Sequence, residues 1–299
     1  MVEIKPVGTD DEMRLYLDVL AEVEPNERVP SVAEMWGKQR PGRTPLIVYR
    51  VGELVGAGFV DRSSQVGRAF VMPRVRPAFR RQGIGTAVLR QLLLLAGQLD
   101  RPIACSMADD PGSTEFGLRH GFAEVDRQVE QLRAIGQEAV PTPPAPVTIV
   151  SVEQHPELWQ PAFEAVGRQG FADLALDTHV EVTEQQWVAN EMNNPASTFI
   201  ALAGQQIIGV ASLLTEDNSR RAEHGLTAVR REWRGKGVAS ALKRHCLAWA
   251  SANGLTEVYT WTQKNNGDMR RLNEHLGFRY GRISISLEAP IPPRSAPAA

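Results

Sequence analysis

Two stretches decide the fold: VRPAFRRQGIGTAVLRQLLLLA, from Val75 to Ala96, and VRREWRGKGVASALKRHCLAWA, from Val229 to Ala250. They align without a gap at a constant offset of 154 residues (Val75 to Val229), pairing Arg80 with Arg234, Gly83 with Gly237 and Gly85 with Ala239. Past the glycines, Ile84, Val88, Leu92 and Leu95 recur at the spacing of one helix face, and Val238, Leu242, Cys246 and Trp249 match them. Each stretch therefore predicts a strand, a Gly-rich turn and an amphipathic helix.

The match extends outward on both sides. Upstream, LIVYRVGELVGAGFV (Leu46–Val60) and FIALAGQQIIGVASLL (Phe199–Leu214) each read as two β-rich runs joined at a glycine, a hairpin signal. Downstream, each half closes a helical stretch on Gly-Phe, at Gly121-Phe122 and Gly277-Phe278, where glycine suits a left-handed helix terminator. Each half thus predicts helix, hairpin, strand, Gly-rich turn, helix, strand, helix and strand, an α/β fold with a mixed, partly antiparallel sheet. A repeat of about 140 residues is a domain duplication, since solenoid repeats run to about 20–50. Between the halves lies PTPPAP (Pro141–Pro146), which holds neither helix nor central strand because each proline removes a donor. The expected division is an N-terminal domain over 1–138, a linker over 139–146, a C-terminal domain over 147–289 and a disordered tail over 290–299. We expect a monomer whose halves pack as an internal pseudo-dimer.

Composition narrows the function. A chain of 299 residues with 42% apolar and 23% charged residues is globular and long enough for two cores. Its formal net charge of -2 argues against nucleic acid as a partner, which needs a concentrated basic face, and favours a small molecule. Cys105 and Cys246 form no CxxC pair and read as buried thiols. The six histidines show no HxH or HExxH spacing, so no metal is expected. No Gly-x-Ser-x-Gly elbow is present, and neither a leader nor an apolar run of membrane length is seen, so a cytoplasmic location is expected.

The order strand, Arg-x-x-Gly-x-Gly/Ala, helix presents free backbone amides at a helix N-terminus, a cradle for a pyrophosphate. Small residues at Gly83, Gly85, Gly237 and Ala239 allow close approach, and Arg80, Arg81, Arg234 and Lys236 add charge. Walker and Rossmann spacings are absent. With these residues in view, V-x-P-x-x-R-R-Q-G-I-G (Val75–Gly85) and V-x-x-x-W-R-G-K-G-V-A (Val229–Ala239) resemble motif A of the GNAT acetyltransferase superfamily. The run of Asn266, Met269, Asn273, Leu276, Gly277 and Phe278 is similar to that superfamily's following motif, and the layout resembles its tandem members of the mycothiol synthase type.

The resemblance implies two tandem GNAT domains, acetyl-CoA as acyl donor, and a sheet split between its fourth and fifth strands where the pantetheine arm lies. The motif residues expected to bind the cofactor are Val75, Arg80, Arg81, Gln82, Gly83, Ile84, Gly85 and Thr86 in the first half. In the second they are Thr227, Ala228, Val229, Arg234, Gly235, Lys236, Gly237, Val238, Ala239 and Asn266. An amide near Thr227 or Ala228 is the expected oxyanion donor. Glu223 is the candidate general base, read as on the strand parity of Thr227 and Val229. Where the superfamily often has a tyrosine acid this chain has Asn273, which donates no proton, so water or another residue serves as acid or the thiolate leaves unaided; Asn273 and Asn266 are then expected to hydrogen-bond the cofactor, with Tyr280 in reserve as acid. The first half is poorer, with Ala69 matching Glu223, Gly117 matching Asn273, and Pro73 in place of Thr227. The expected function is N-acetylation of a small-molecule primary amine by the second half; the alternatives are a non-catalytic CoA-binding or scaffold protein, or a peptide N-terminal acetyltransferase. Arg168, Asp173, Asp177 and His179, in the loop from Gly167 to Glu184, are candidates for the acceptor pocket.

Overall fold

The computed structural model describes residues 2–25, 29–63, 65–174, 182–191, 194–215 and 219–291. Asp177, His179 and most of the expected tail fall outside the described residues. In chain order the first half holds β1 (Val2–Pro6), α1 (Asp10–Val23), α2 (Val32–Gly37), β2 (Thr44–Arg50), β3 (Glu53–Arg62), β4 (Arg68–Val75), α3 (Ile84–Ala96), β5 (Ile103–Ala108), α4 (Pro111–Arg119) and β6 (Ala123–Ala134). The second holds β7 (Val147–Ser151), α5 (Trp159–Ala162), α6 (Arg168–Ala172), α7 (Glu184–Glu191), β8 (Thr198–Ala203), β9 (Gln206–Thr215), β10 (Arg221–Val229), α8 (Val238–Ala252), β11 (Glu257–Gln263), α9 (Gly267–His275) and β12 (Arg279–Pro290). Among the described residues no helix is long and apolar enough to cross a membrane.

The contacts divide the chain differently from the proline-rich stretch. Unit 1 is Met1–Val125 with Ile285–Ala299, and unit 2 is Asp126–Ser284. In unit 1 the strand order is β1-β2-β3-β4-β5, closed by the end of β12, which pairs antiparallel with β5 from Ile285↔Ala108 to Pro290↔Ile103. In unit 2 it is β6-β11-β10-β9-β8-β7, with β6 antiparallel to β11 from Gln263↔Gln128 to Glu257↔Ala134. Each sheet is completed by a strand from the opposite half of the sequence. The physical reason is edge pairing: β5 and β11 each need a partner for their outer backbone groups, and a twelve-residue strand supplies it whichever half it comes from.

In each unit the sheet separates two apolar cores. On one face of unit 1, Ile84, Val88, Leu89 and Leu92 of α3 pack on Val60, Ala69 and Val71; on the other, Met13, Tyr16 and Leu17 of α1 pack on Ile47 and Ala57. In unit 2, Val238, Leu242 and Cys246 of α8 pack on Ala211, Leu213, Ala222 and Val229. The opposite face carries Trp159, Phe163, Trp187, Val210 and Ala228. The expected hairpins are β2–β3 and β8–β9, turning at Gly52 (φ 76°) and Gly204 (φ 60°). Both cysteines are free and buried, and burial pushes their thiols up, to about 11 for Cys105 and about 12 for Cys246.

Candidate functional site

The helix starts differ in how their first amides are met. Side-chain caps close α1 (Thr9 Oγ1 accepting from Glu12 N), α2 (Ser31 in a capping box with Glu34), α4 (Asp110) and α9 (Asn266 Oδ1 accepting from Met269 N at 3.2 Å). By contrast α3 and α8 begin on Gly83 (φ 81°) and Gly237 (φ 79°), left-handed and with no side-chain cap. Their first-turn amides are left for an external acceptor, and the helix dipole selects an anion. The two loops share their backbone, with positive φ at Arg81 (64°) and its counterpart Gly235 (72°). A Cβ built on Gly83 or Gly235 meets nothing within 4 Å, so the space before each loop is open. At Gly85 the small residue has another reason, because a Cβ there would press on the Phe116 ring at 3.3 Å.

Arg80 and Arg234 are engaged with protein. Arg80 Nε donates to the Val75 carbonyl at 3.1 Å and Arg234 Nε to that of Val229 at 3.0 Å, stitching loop to strand in both units. Arg234 also pairs with Asp173, which accepts from Arg231 at 2.7 Å. The hydrogen bond from Arg231, then that from Arg234, holds the Asp173 carboxyl down at about 2. Gln82 is tied to Arg50, Thr86 Oγ1 lies 3.0 Å from His120 Nε2, and Lys236 Nζ lies 5.1 Å from the Trp233 ring. The side chains of Ile84 and Val238 are core, so only their amides face the loop. Arg168 pairs with Glu164 at 2.6 Å.

Beside each loop the sheet opens. The parallel ladder between β10 and β11 runs only over Arg221↔Glu257, Ala222↔Val258 and Glu223↔Tyr259. Its last tie is Thr260 Oγ1 donating to the His224 carbonyl at 3.1 Å, and beyond it the strands part. In unit 1, β4 and β5 pair over Arg68↔Ile103, Ala69↔Ala104 and Phe70↔Cys105 and then part likewise. The two slots differ in strand register. The β9–β10 register shifts by a residue between His224 and Thr227, a β-bulge, whereas β3–β4 pair without interruption from Gly56↔Val75 to Arg62↔Ala69.

The bulge corrects two expectations. An inserted residue reverses side-chain alternation, so Glu223 does not share the face of Thr227 and Val229. Ala222 and Val229 both pack under α8, which puts His224 and Thr227 on that face as well. Glu223 faces the opposite side with Leu226 and Ala228, toward α5–α7. Upstream of the bulge the halves match at one residue less than the constant offset, so the counterpart of Glu223 is Phe70, not Ala69. Pro73 keeps its match to Thr227, two residues before Val75 and Val229.

Asn273 is fully buried, its Nδ2 donating to Gln131 Oε1 at 2.9 Å and lying 3.4 Å from Thr262 Oγ1. The Gly117 carbonyl accepts from Phe122 N as that of Asn273 does from Phe278 N, which confirms their correspondence; a Cβ on Gly117 would lie 2.6 Å from Leu287. Tyr280 is exposed and bonded to Glu274. On the α8 face beside the slot, Thr227 Oγ1 and Asn273 Oδ1 are buried without partners, and no side chain pairs with either ring nitrogen of the buried His224. Lys243, buried on α8, is a further polar group there that the motif spacing had read only as part of a helix. An open anion cradle leading to a slot bordered by unsatisfied polar atoms fits a ligand combining a diphosphate with an amide-bearing arm, as CoA does.

With that geometry in hand, comparisons gave concordant results. The chain matches the model of the Acetyltransferase (GNAT) family twice, over residues 10–122 and 155–278. It is 27% identical over 263 residues to the mycothiol acetyltransferase of Geodermatophilus obscurus, covering 82% of each chain. Among solved structures it resembles a tandem GNAT protein from the clavulanic acid biosynthesis pathway (TM-score 0.78, 22% identity, 99% and 100% of the two chains). It also resembles a GCN5-related N-acetyltransferase from Sphaerobacter thermophilus (TM-score 0.78, 17% identity, 98% and 96%).

Proposed function

We infer, from the premise that this chain belongs to the acetyltransferase (GNAT) family and is an acyltransferase, that unit 2 transfers the acetyl group of acetyl-CoA to the primary amine of a small molecule. The observation that carries this reading is the bulge in β10, which β4 lacks. A bulge frees backbone N–H groups from the ladder just where the strands part, and such donors stabilise the oxyanion of an acyl transfer. In unit 1 the corresponding strand is regular and Pro73 removes a donor from it.

The residues divide the work by face. The first-turn amides of α8, from Val238 onward, hold the diphosphate, and the open edge of β10 receives the amides of the arm. Glu223 stands at the last ladder position and looks to the side opposite α8, where an acceptor amine approaching under α5–α7 gives up its proton, directly or through water. Glu223, Thr227 and the loop Gly235–Ala239 thus act at one slot. The name of the Geodermatophilus relative supports a small-molecule acceptor over a peptide. Unit 1 keeps the cradle but has Phe70 where unit 2 has Glu223, which supports CoA binding or a scaffold role without turnover.

Thiol release with a panel of amines tests the reading. Glu223→Gln should lower kcat by about 10²–10³-fold while acetyl-CoA affinity, by calorimetry, stays unchanged. Full activity in that variant would remove Glu223 as base, and tight CoA binding without turnover on any amine would favour the non-catalytic reading.

A further inference from the structure

Where the β10–β11 ladder ends, unit 2 buries three polar groups on the α8 face that unit 1 does without. His224 is 2% exposed, and no side chain pairs with either ring nitrogen. Lys243 is 1% exposed, its amine 5.7 Å from the centre of the Phe278 ring, and no carboxylate among the described residues pairs with it. Asn273, whose carbonyl accepts from Phe278 N at 3.0 Å, has an unpartnered Oδ1. The matching positions of unit 1 are Val71, Leu89 and Gly117, so the fold itself does not require polarity here. An ammonium buried without a counter-ion is costly, and an arrangement that keeps one is suited to an anion that arrives only during turnover.

Resting on the acetyltransferase reading of unit 2, the geometry points to Lys243, buried with His224 on the α8 face and lying over the Phe278 ring, as the acid for the leaving thiolate, in place of the tyrosine that the α9 position lacks. As the amine nitrogen bonds to the acetyl carbon, the carbon–sulfur bond breaks and sulfur keeps the electron pair. The proton passes from Lys243 Nζ to sulfur, giving free CoA thiol and a neutral amine. Lys243 recovers a proton from water, balancing the one that leaves the acceptor through Glu223. The titratable groups facing Lys243 are His224 of β10, held neutral by burial and by the lysine's charge, and Cys246 of α8, whose thiol is pushed up to about 12. Burial holds the Lys243 amine at about 8, charged at neutral pH and able to give up its proton.

The test compares binding of CoA and desulfo-CoA to the full-length protein between about pH 6 and 9.5, with ultraviolet absorbance reporting the bound thiolate. The expected result is a bound thiol that ionises at least about one pH unit below its ordinary value near 8.5, and about tenfold tighter binding of CoA than of desulfo-CoA once it has ionised. Lys243→Met should erase both differences and leave desulfo-CoA affinity as it was. Lys243→Arg should keep the lowered thiol pKa, because the charge remains, yet lose about 10²-fold in kcat at unchanged KM for acetyl-CoA, since guanidinium does not surrender a proton. Equal binding of the two ligands to wild type at every pH, with the thiol titrating as in water, would overturn the proposal without need of a variant. Failure of both ligands to bind would instead bring down the cofactor reading on which it rests.

Discussion

Lys243→Met should make unit 2 more stable, not less. The methionine keeps the length and apolar stem of the lysine and discards a charge that the fold buries beneath α8 without a carboxylate partner. Burial lowers this amine from 10.5 to about 8, and at about 1.4 kcal/mol per pH unit the buried charge costs about 3 kcal/mol. The sign follows from proton counting: between about 8 and 10.5 the unfolded chain holds a proton that the folded one has released, so stability rises with pH across that window. Below about 8 both states are protonated and the full cost stands. Denaturant unfolding of wild type and variant should therefore differ by about 3 kcal/mol at pH 7, or roughly 6–12 °C in the unit 2 melting transition, and converge by about pH 10.5. A variant less stable than wild type at pH 7, or a difference that does not shrink as pH rises, would refute the reasoning by showing that the charge is compensated.

Other perturbations reach different parts of the molecule. Glu130, 2% exposed, accepts from Arg282 Nη2 at 2.9 Å, Nε at 3.1 Å and its backbone N at 3.2 Å; Glu130→Ala should cost unit 2 about 3 kcal/mol in urea unfolding, because the three charge-assisted hydrogen bonds of a buried carboxylate are lost together. Asp173→Asn releases Arg231 and Arg234 from a carboxylate that stays ionised down to about 2, so CoA affinity by calorimetry should rise about two- to fivefold, equally at every pH above about 4 and less at high salt. Gly237→Ala forces a side chain into φ 79°, costing about 1–2 kcal/mol, and should weaken CoA binding as the α8 start shifts. Deleting Gly225 gives β10 the residue count of β4; turnover should fall at least about 100-fold while CoA still binds, and retained activity would separate the bulge from catalysis.

Much of this was legible along the chain because the information is local. The two β-rich runs in Leu46–Val60, the helical spacing from Val238 to Trp249 and the turn glycines at 83 and 237 are properties of neighbours, and a strand, a helix or a left-handed turn needs nothing more. That the two halves repeat also lies in the string itself, and with it the family and the paired anion cradles.

Tertiary structure decided what depends on partners distant in sequence. A gap-free repeat comparison passes over the single extra residue in β10, because only the β9 register reveals it, and that residue determines which face Glu223 and Thr227 occupy. The exchange of β6 and β12 follows from open sheet edges, to which the order of residues along the chain gives no address. Lys243 lies in a stretch whose spacing reads only as helix; that its amine ends under the sheet beside His224 emerged when α8 was packed, since burial belongs to the surroundings of a side chain and not to its letter.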